Sequence, residues 1–133
     1  MLRVKLKNIH QKVFPELCSI RFLKSIFGVG SFFRNKKLRP EDLDYYITFS
    51  KPFSEICIRK VSEKIKGIKN KFRNSKFEPV VNVFLEDSNG DRLNSVDLWF
   101  LLNYENETLS DCIKNRKGEI WKGYGAKLLF ENR

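Results

Sequence analysis

Between Val80 and Asp111 lie seven carboxylates, Glu86, Asp87, Asp91, Asp97, Glu105, Glu107 and Asp111, with Arg92 the one base among them. Carboxylates at this density can act as a general acid and base, hold a cation, or form a binding face for a basic partner. Catalysis would need further groups that the chain does not supply. It has one histidine, His10, and three widely spaced cysteines, Cys18, Cys57 and Cys112, each among apolar neighbours. No paired His and Cys, no Ser-His-Asp order and no metal-ligand cluster is present, so no catalytic residue, metal or cofactor is expected. The thiols read as buried and reduced, which points to a reducing compartment. Gly28-Val29-Gly30 is too sparse for a phosphate loop and reads as a turn. The acidic residues are therefore read as a solvated binding face.

The rest of the charge is arranged against it. Residues 1–78 hold 19 Lys and Arg against 7 Asp and Glu, residues 79–133 hold 7 against 9, and the whole chain is +10. The chain is thus electrically lopsided and not merely basic. Its 133 residues suit one domain with its own core. The longest apolar run, Leu98 to Leu102, is far too short to span a bilayer, and the N-terminus alternates instead of following the order of a secretory signal. No membrane association is expected, and cytoplasm or nucleus is the expected location.

The elements that must position these charges are legible unevenly. Arg3-Val4-Lys5-Leu6-Lys7-Asn8-Ile9 alternates with period two, predicting a strand with Val4, Leu6 and Ile9 inward and the cations outward. Val13 to Phe27, with Pro15 inside it, reads as strand or helix. Tyr45 to Phe49 has strand chemistry. Ser54 to about Lys66 reads as a helix, with Ser54 as N-cap, Ile58, Val61, Ile65 and Ile68 as the inner stripe, and Gly67 at the C-terminal position. Arg59, Lys60, Glu63, Lys64 and Lys66 fall off that stripe. Val80 to Leu85 reads as a strand entering a turn at Asn89-Gly90. A short apolar helix over Asn94 to Leu102, a last strand over Thr108 to Ile113 and a short tail over 125–133 complete the expectation.

Strand, strand, amphipathic helix, strand with acidic turn, short helix and strand is the order of a ubiquitin-like roll. Within it, Val83-Phe84-Leu85-Glu86-Asp87-Ser88-Asn89-Gly90-Asp91-Arg92-Leu93, then Asp97-Leu98-Trp99-Phe100-Leu101-Leu102 and Glu105-Asn106-Glu107-Thr108-Leu109, resembles the CIDE-N (CAD) domain of the apoptotic DNA fragmentation factors. Val4-Lys5-Leu6-Lys7-Asn8-Ile9-His10 and Gly118-Glu119-Ile120-Trp121-Lys122-Gly123-Tyr124 extend the likeness toward the nuclease branch of that family. The resemblance implies an α+β, ubiquitin-like β-grasp roll over 1–124 and a tail at 125–133; its second strand is either Tyr45–Phe49, which gives a core at about 3–9 and 45–113 with an insertion over 10–44, or Phe27–Ser31, which makes residues 32–51 the insertion. It also implies that the nuclease half of such proteins is absent, leaving a regulatory, non-enzymatic domain.

CIDE-N domains associate head to tail through opposite charges. Carried over to this sequence, the resemblance makes Lys5, Lys7, Arg59, Lys60 and Lys64 the basic side, and Glu86, Asp87, Asp91, Asp97, Glu105 and Glu107 the acidic side. The implied function is charge-complementary pairing with another CIDE-N domain, of this chain or of an inhibitor of the nuclease, regulating apoptotic DNA fragmentation. A basic nucleic-acid-binding module is the second reading, from the net charge and the interleaved aromatics Phe32, Phe33, Tyr45 and Tyr46.

Overall fold

In the computed structural model, residues 3–34, 40, 42–72, 80–94 and 126–132 are described. Helix α1 (Arg3–Cys18) leads into strand β1 (Leu23–Val29), the short helix α2 (Gly30–Arg34) and strand β2 (Leu43–Phe49). Helix α3 (Glu55–Lys71) then precedes β3 (Val81–Glu86), β4 (Arg92–Asn94) and β5 (Lys127–Glu131). The strands form one sheet in the order β4-β3-β2-β1-β5. All neighbours are antiparallel except β2 and β3, which run parallel because α3 crosses over between them. The protein is a mixed α+β domain, and the arrangement is compatible with a β-grasp-like fold.

The strand expected over Arg3–Ile9 is corrected to the first half of α1. Leu6, Val13 and Leu17 are fully buried while Val4 is exposed. Their spacing of seven and four is a helical stripe, and the alternation over seven residues is a fragment of it. Region 10–44, expected as an insertion, instead holds the rest of α1, then β1, α2 and the start of β2. The tail is corrected too: Lys127–Glu131 is an edge strand on β1.

Helix α3 follows its sequence signals at the start. The Ser54 hydroxyl accepts from Cys57 N at 3.3 Å, and Ile58, Val61, Ile65 and Ile68 are buried. Phe53, just before the cap, lines the same small cavity as Ile58, the pairing that fixes the angle at which a chain enters a helix. The end differs: Gly67 lies exposed within the helix, which continues to Lys71 and closes with Phe72 N donating to Ile68 O at 3.1 Å.

Side chains alternate along β2 and β3, while β1 carries irregularities at Leu23/Ser25 against β2 and at Ile26/Phe27 against β5. Leu43, Tyr45, Ile47 and Phe49 of β2, with Val81, Val83 and Leu85 of β3, share one core with the inward residues of α1 and α3. Ser25, Tyr46, Thr48 and Glu86 therefore project from the other face, on which none of the described helices packs. The helix expected over 94–102 and the strand over 108–113 lie outside the described residues.

Candidate functional site

Because α1 and α3 pack on the same face of the sheet, their outward charges share one layer. The two helices carry ten Lys and Arg against three Glu. Where α3 meets the turn after α1, a groove of 330 Å³ opens between Ser19, Arg21 and Phe22 on one side and Ile56, Lys60 and Lys64 on the other. Lys64 Nζ donates to Ser19 Oγ, tying the middle of α3 to the end of α1. The floor contains Cys57 and Val61. Ile56 faces solvent at 75 % exposure, because it falls outside the 58/61/65/68 stripe.

Phe22 is the unusual residue of this groove. Its φ is 62°, a left-handed backbone conformation that a bulky residue adopts at a cost of order 1 kcal/mol. Tertiary contacts hold it there. Its carbonyl accepts from Ser50 N at 2.8 Å and Ser50 Oγ at 3.2 Å. Its ring has the Arg21 guanidinium carbon 4.9 Å and Lys51 Nζ 4.6 Å from the centroid, both within cation–π range. A strained aromatic flanked by two cations at the edge of a groove is a feature that packing alone does not require.

The sequence-derived basic residues do not all converge on this groove. Lys60 and Lys64 line it. Arg59 pairs with Glu55 at 3.4 Å, one turn back on the same helix. Lys5 and Lys7 are exposed near the other end of α1, about 20 Å from Ser19 at the helical rise. The neighbourhood of that end is set by Arg3, whose Nη1 donates to Phe32 O at 2.8 Å. Arg21, Lys51, Phe22 and Ile56 were missed. Only Ile56 had a readable signal, an apolar residue off its helix's stripe; the others meet through a turn that local pattern does not reveal.

Two of the acidic residues are turned inward. Glu86 is 8 % exposed, with its Oε1 accepting from Arg92 Nε at 3.0 Å across the β3–β4 pair. Asp87 is 6 % exposed, and its oxygens accept from Phe53 N (2.8 Å), Asn89 N (2.9 Å) and Asp91 N (3.0 Å). The expected solvated face is therefore an internal brace at these two positions. Asp91 is half-buried in the same turn. Asp97, Glu105 and Glu107 lie outside the described residues.

His10 stands in an aromatic cluster. Its Nδ1 is 2.6 Å from Tyr45 Oη, and its ring lies 5.2–6.3 Å from Phe14, Phe32, Phe33 and Tyr45. Burial, and then the charge of Lys127, hold the imidazole below its ordinary value of 6.5, while burial raises the Tyr45 phenol. A neutral imidazole bonded to an un-ionised phenol on the core side of the sheet is structural. Among the described residues no group of three or more His, Cys, Asp or Glu is placed to hold a metal ion, and none of their helices is long and apolar enough to cross a membrane. No protein-family model matches the chain, and no curated protein does.

Proposed function

We propose that this chain is a protein-interaction module that takes an acidic protein surface into the groove between α3 and the turn at residues 19–22. The observation supporting this is the groove's anatomy: exposed Ile56 beside Phe22 and Val61, rimmed by Arg21, Lys60 and Lys64. An apolar centre with a charged rim is how protein interfaces are built. The cations set partner choice and encounter rate, and the apolar contacts hold the complex.

The finer form of this reading comes from the resemblance. There the acidic partner is another CIDE-N domain, of this chain or of a nuclease inhibitor, the roll is of the CIDE-N type, and association regulates apoptotic DNA cleavage. The strand and turn from Val80 to Leu93 support that form, as does the gathering of positive charge on one layer. The helix at Arg3–Cys18, where the family has its first strand, departs from it.

One observation favours the second reading, nucleic-acid binding: the cations of α1 and α3 share one layer, so positive charge extends along the helices. Light scattering from about 50 to about 500 mM salt separates the two, because screening weakens exposed charge pairs. Self-association that weakens with salt and falls roughly tenfold in Lys60→Glu/Lys64→Glu supports the interaction module, a change of about 1.4 kcal/mol. A wild-type chain that stays monomeric yet binds a duplex oligonucleotide overturns it in favour of the second.

A further inference from the structure

The cations around the groove beside Phe22 differ from Arg59 in what they touch. Arg59 is paired with Glu55, whereas among the described residues Arg21, Lys51, Lys60 and Lys64 form no ion pair with a carboxylate. Arg21 and Lys51 are set over the Phe22 ring, and Lys64 bonds the neutral Ser19 hydroxyl with one of its three donors. A ring or a hydroxyl orients a cation without cancelling its charge, as a carboxylate would. Positive charge is thus held in place around the groove and not neutralised by the described residues.

The groove itself is shaped for a side chain and not for a flat surface. Its 330 Å³ is near the lower end of small-ligand sites, about 300–1,000 Å³. Val61 lies buried at its floor, and Ile56 stands clear on the α3 wall. Phe22 forms the facing wall and is held firmly: its carbonyl accepts two bonds from Ser50, and it also closes a small cavity lined by Phe49, Phe53 and Ile58. Arg21 stands on one side of this apolar slot, and Lys60 and Lys64 stand on the other, one helical turn apart. The β3–β4 turn of a second copy does not supply Glu86 or Asp87 as matching acids, because both are turned inward in bonds of their own.

We infer that the occupant of this groove is a short acidic peptide segment of a partner protein, with one large aliphatic side chain seated between Phe22 and Ile56 over Val61. Carboxylates on one flank of that side chain meet Arg21, and carboxylates on the other meet Lys60 and Lys64. The inference rests on the role proposed for the groove and narrows the acidic surface named there to a linear segment that needs no fold of its own. An anchor in a pocket with a polar rim is the arrangement in which one side chain carries much of the binding energy. Exposed charge pairs add only a few-fold each, so the rim orients the segment and selects for acid.

The experiment is a two-dimensional amide NMR titration of the full chain with a capped pentapeptide, one leucine between two pairs of glutamates. Saturable shifts at the amides of Arg21, Phe22, Ile56, Lys60 and Lys64 are expected, and binding should weaken as sodium chloride is raised from about 50 to about 500 mM. Glycine in place of the leucine, or glutamine in place of the glutamates, should each weaken binding roughly fivefold or more. Arg21→Glu and Ile56→Ser, both at exposed positions, should also weaken it while preserving the dispersion of the spectrum. Binding that both variants leave unchanged, or that the glycine peptide matches, would overturn the inference. So would the absence of saturable shifts. In that event, self-association that still falls in Lys60→Glu/Lys64→Glu assigns the groove to a folded surface and leaves the proposed role standing, whereas saturable shifts with a duplex oligonucleotide remove the role as well.

Discussion

Asp87 Oδ2 accepts the backbone N–H of Phe53 at 2.8 Å, joining the β3–β4 turn to the residue before the cap of α3. The other oxygen of the same carboxylate accepts from Asn89 N and Asp91 N, so one side chain both shapes its own turn and anchors a helix 34 positions away in sequence. Charge-assisted bonds of this kind are stronger than neutral ones, and removing the acceptor leaves three donors to find water. Asp87→Ala is expected to lower stability by about 2–4 kcal/mol in urea unfolding. Asp91→Ala keeps all three of these bonds, because Asp91 contributes its backbone N–H. It is expected to cost well under half as much.

The His10–Tyr45 pair makes stability depend on pH. Burial and Lys127 lower the imidazole's pKa in the folded chain below its unfolded value of 6.5. In the interval just below 6.5 the unfolded chain therefore binds a proton that the folded chain does not. Stability from this group is full above 6.5 and is lost as pH falls toward the folded value. Between about pH 7.5 and about pH 5.5 the wild-type chain should therefore lose stability relative to His10→Phe/Tyr45→Phe, read as the difference between their urea midpoints at the two pH values.

Asp44 produces the opposite slope. Its carboxyl is pushed up to about 6, by burial first and then by the charge of Asp42, from an ordinary 3.8. Between those values the folded state holds the extra proton, so stability from this group is present below 3.8 and lost as pH rises through about 6. Asp44→Asn should be more stable than wild type at neutral pH by about 1–2 kcal/mol, with the advantage disappearing in acid. Thermal unfolding at two pH values checks this. A variant less stable than wild type at both would contradict it.

Ile56→Ser separates binding from folding. The side chain is exposed, so urea unfolding should change by less than about 0.5 kcal/mol. Self-association measured by light scattering should nevertheless weaken several-fold, and equal association by the variant and wild type would remove Ile56 from the proposed interface.

At Gly28 the chain has no room for a side chain. A Cβ there would lie 2.3 Å from Cγ of Phe33, whose ring belongs to the cluster over His10 and Tyr45. Gly28→Ala must displace a packed ring near its base, and is expected to cost about 1–3 kcal/mol in urea unfolding. Restored stability in Gly28→Ala/Phe33→Leu would assign the loss to that contact.

Local patterns made part of this fold readable. Tyr45–Phe49, the strand entering at Val81, the Asn89-Gly90 turn and the start of α3 each announce themselves within a few residues, through β-branched runs, a positive-φ glycine and a cap with a 3.6-residue stripe. Helix α1 was hidden because seven residues of alternation imitate a strand and Pro15 reads as a breaker, while its stripe appears only when Leu6, Val13 and Leu17 are taken together. Strand β5 was hidden for another reason: its partner is some hundred positions earlier. Within the candidate groove, Lys60 and Lys64 were readable from the helix's outer face. Arg21 and Phe22 were not, because a turn brings them there. Glu86 and Asp87 looked solvated because Arg92 and the Phe53 amide, which draw them inward, are assigned to them only by tertiary structure.

The pairing of β1 with β5 also governs how the chain reaches this state. Residues 23–29 and 127–131 must find each other after nearly the whole polypeptide has passed between them, and the entropy of that loop is lost before any ladder bond repays it. The β1–β2 pair and the β2–α3–β3 unit close over much shorter spans, so together they can assemble first and offer β1 as a waiting edge. Sheet completion is then the slow event. Until it occurs, that unsatisfied edge is open to a neighbouring molecule, so concentrated refolding mixtures are where misassociation would begin.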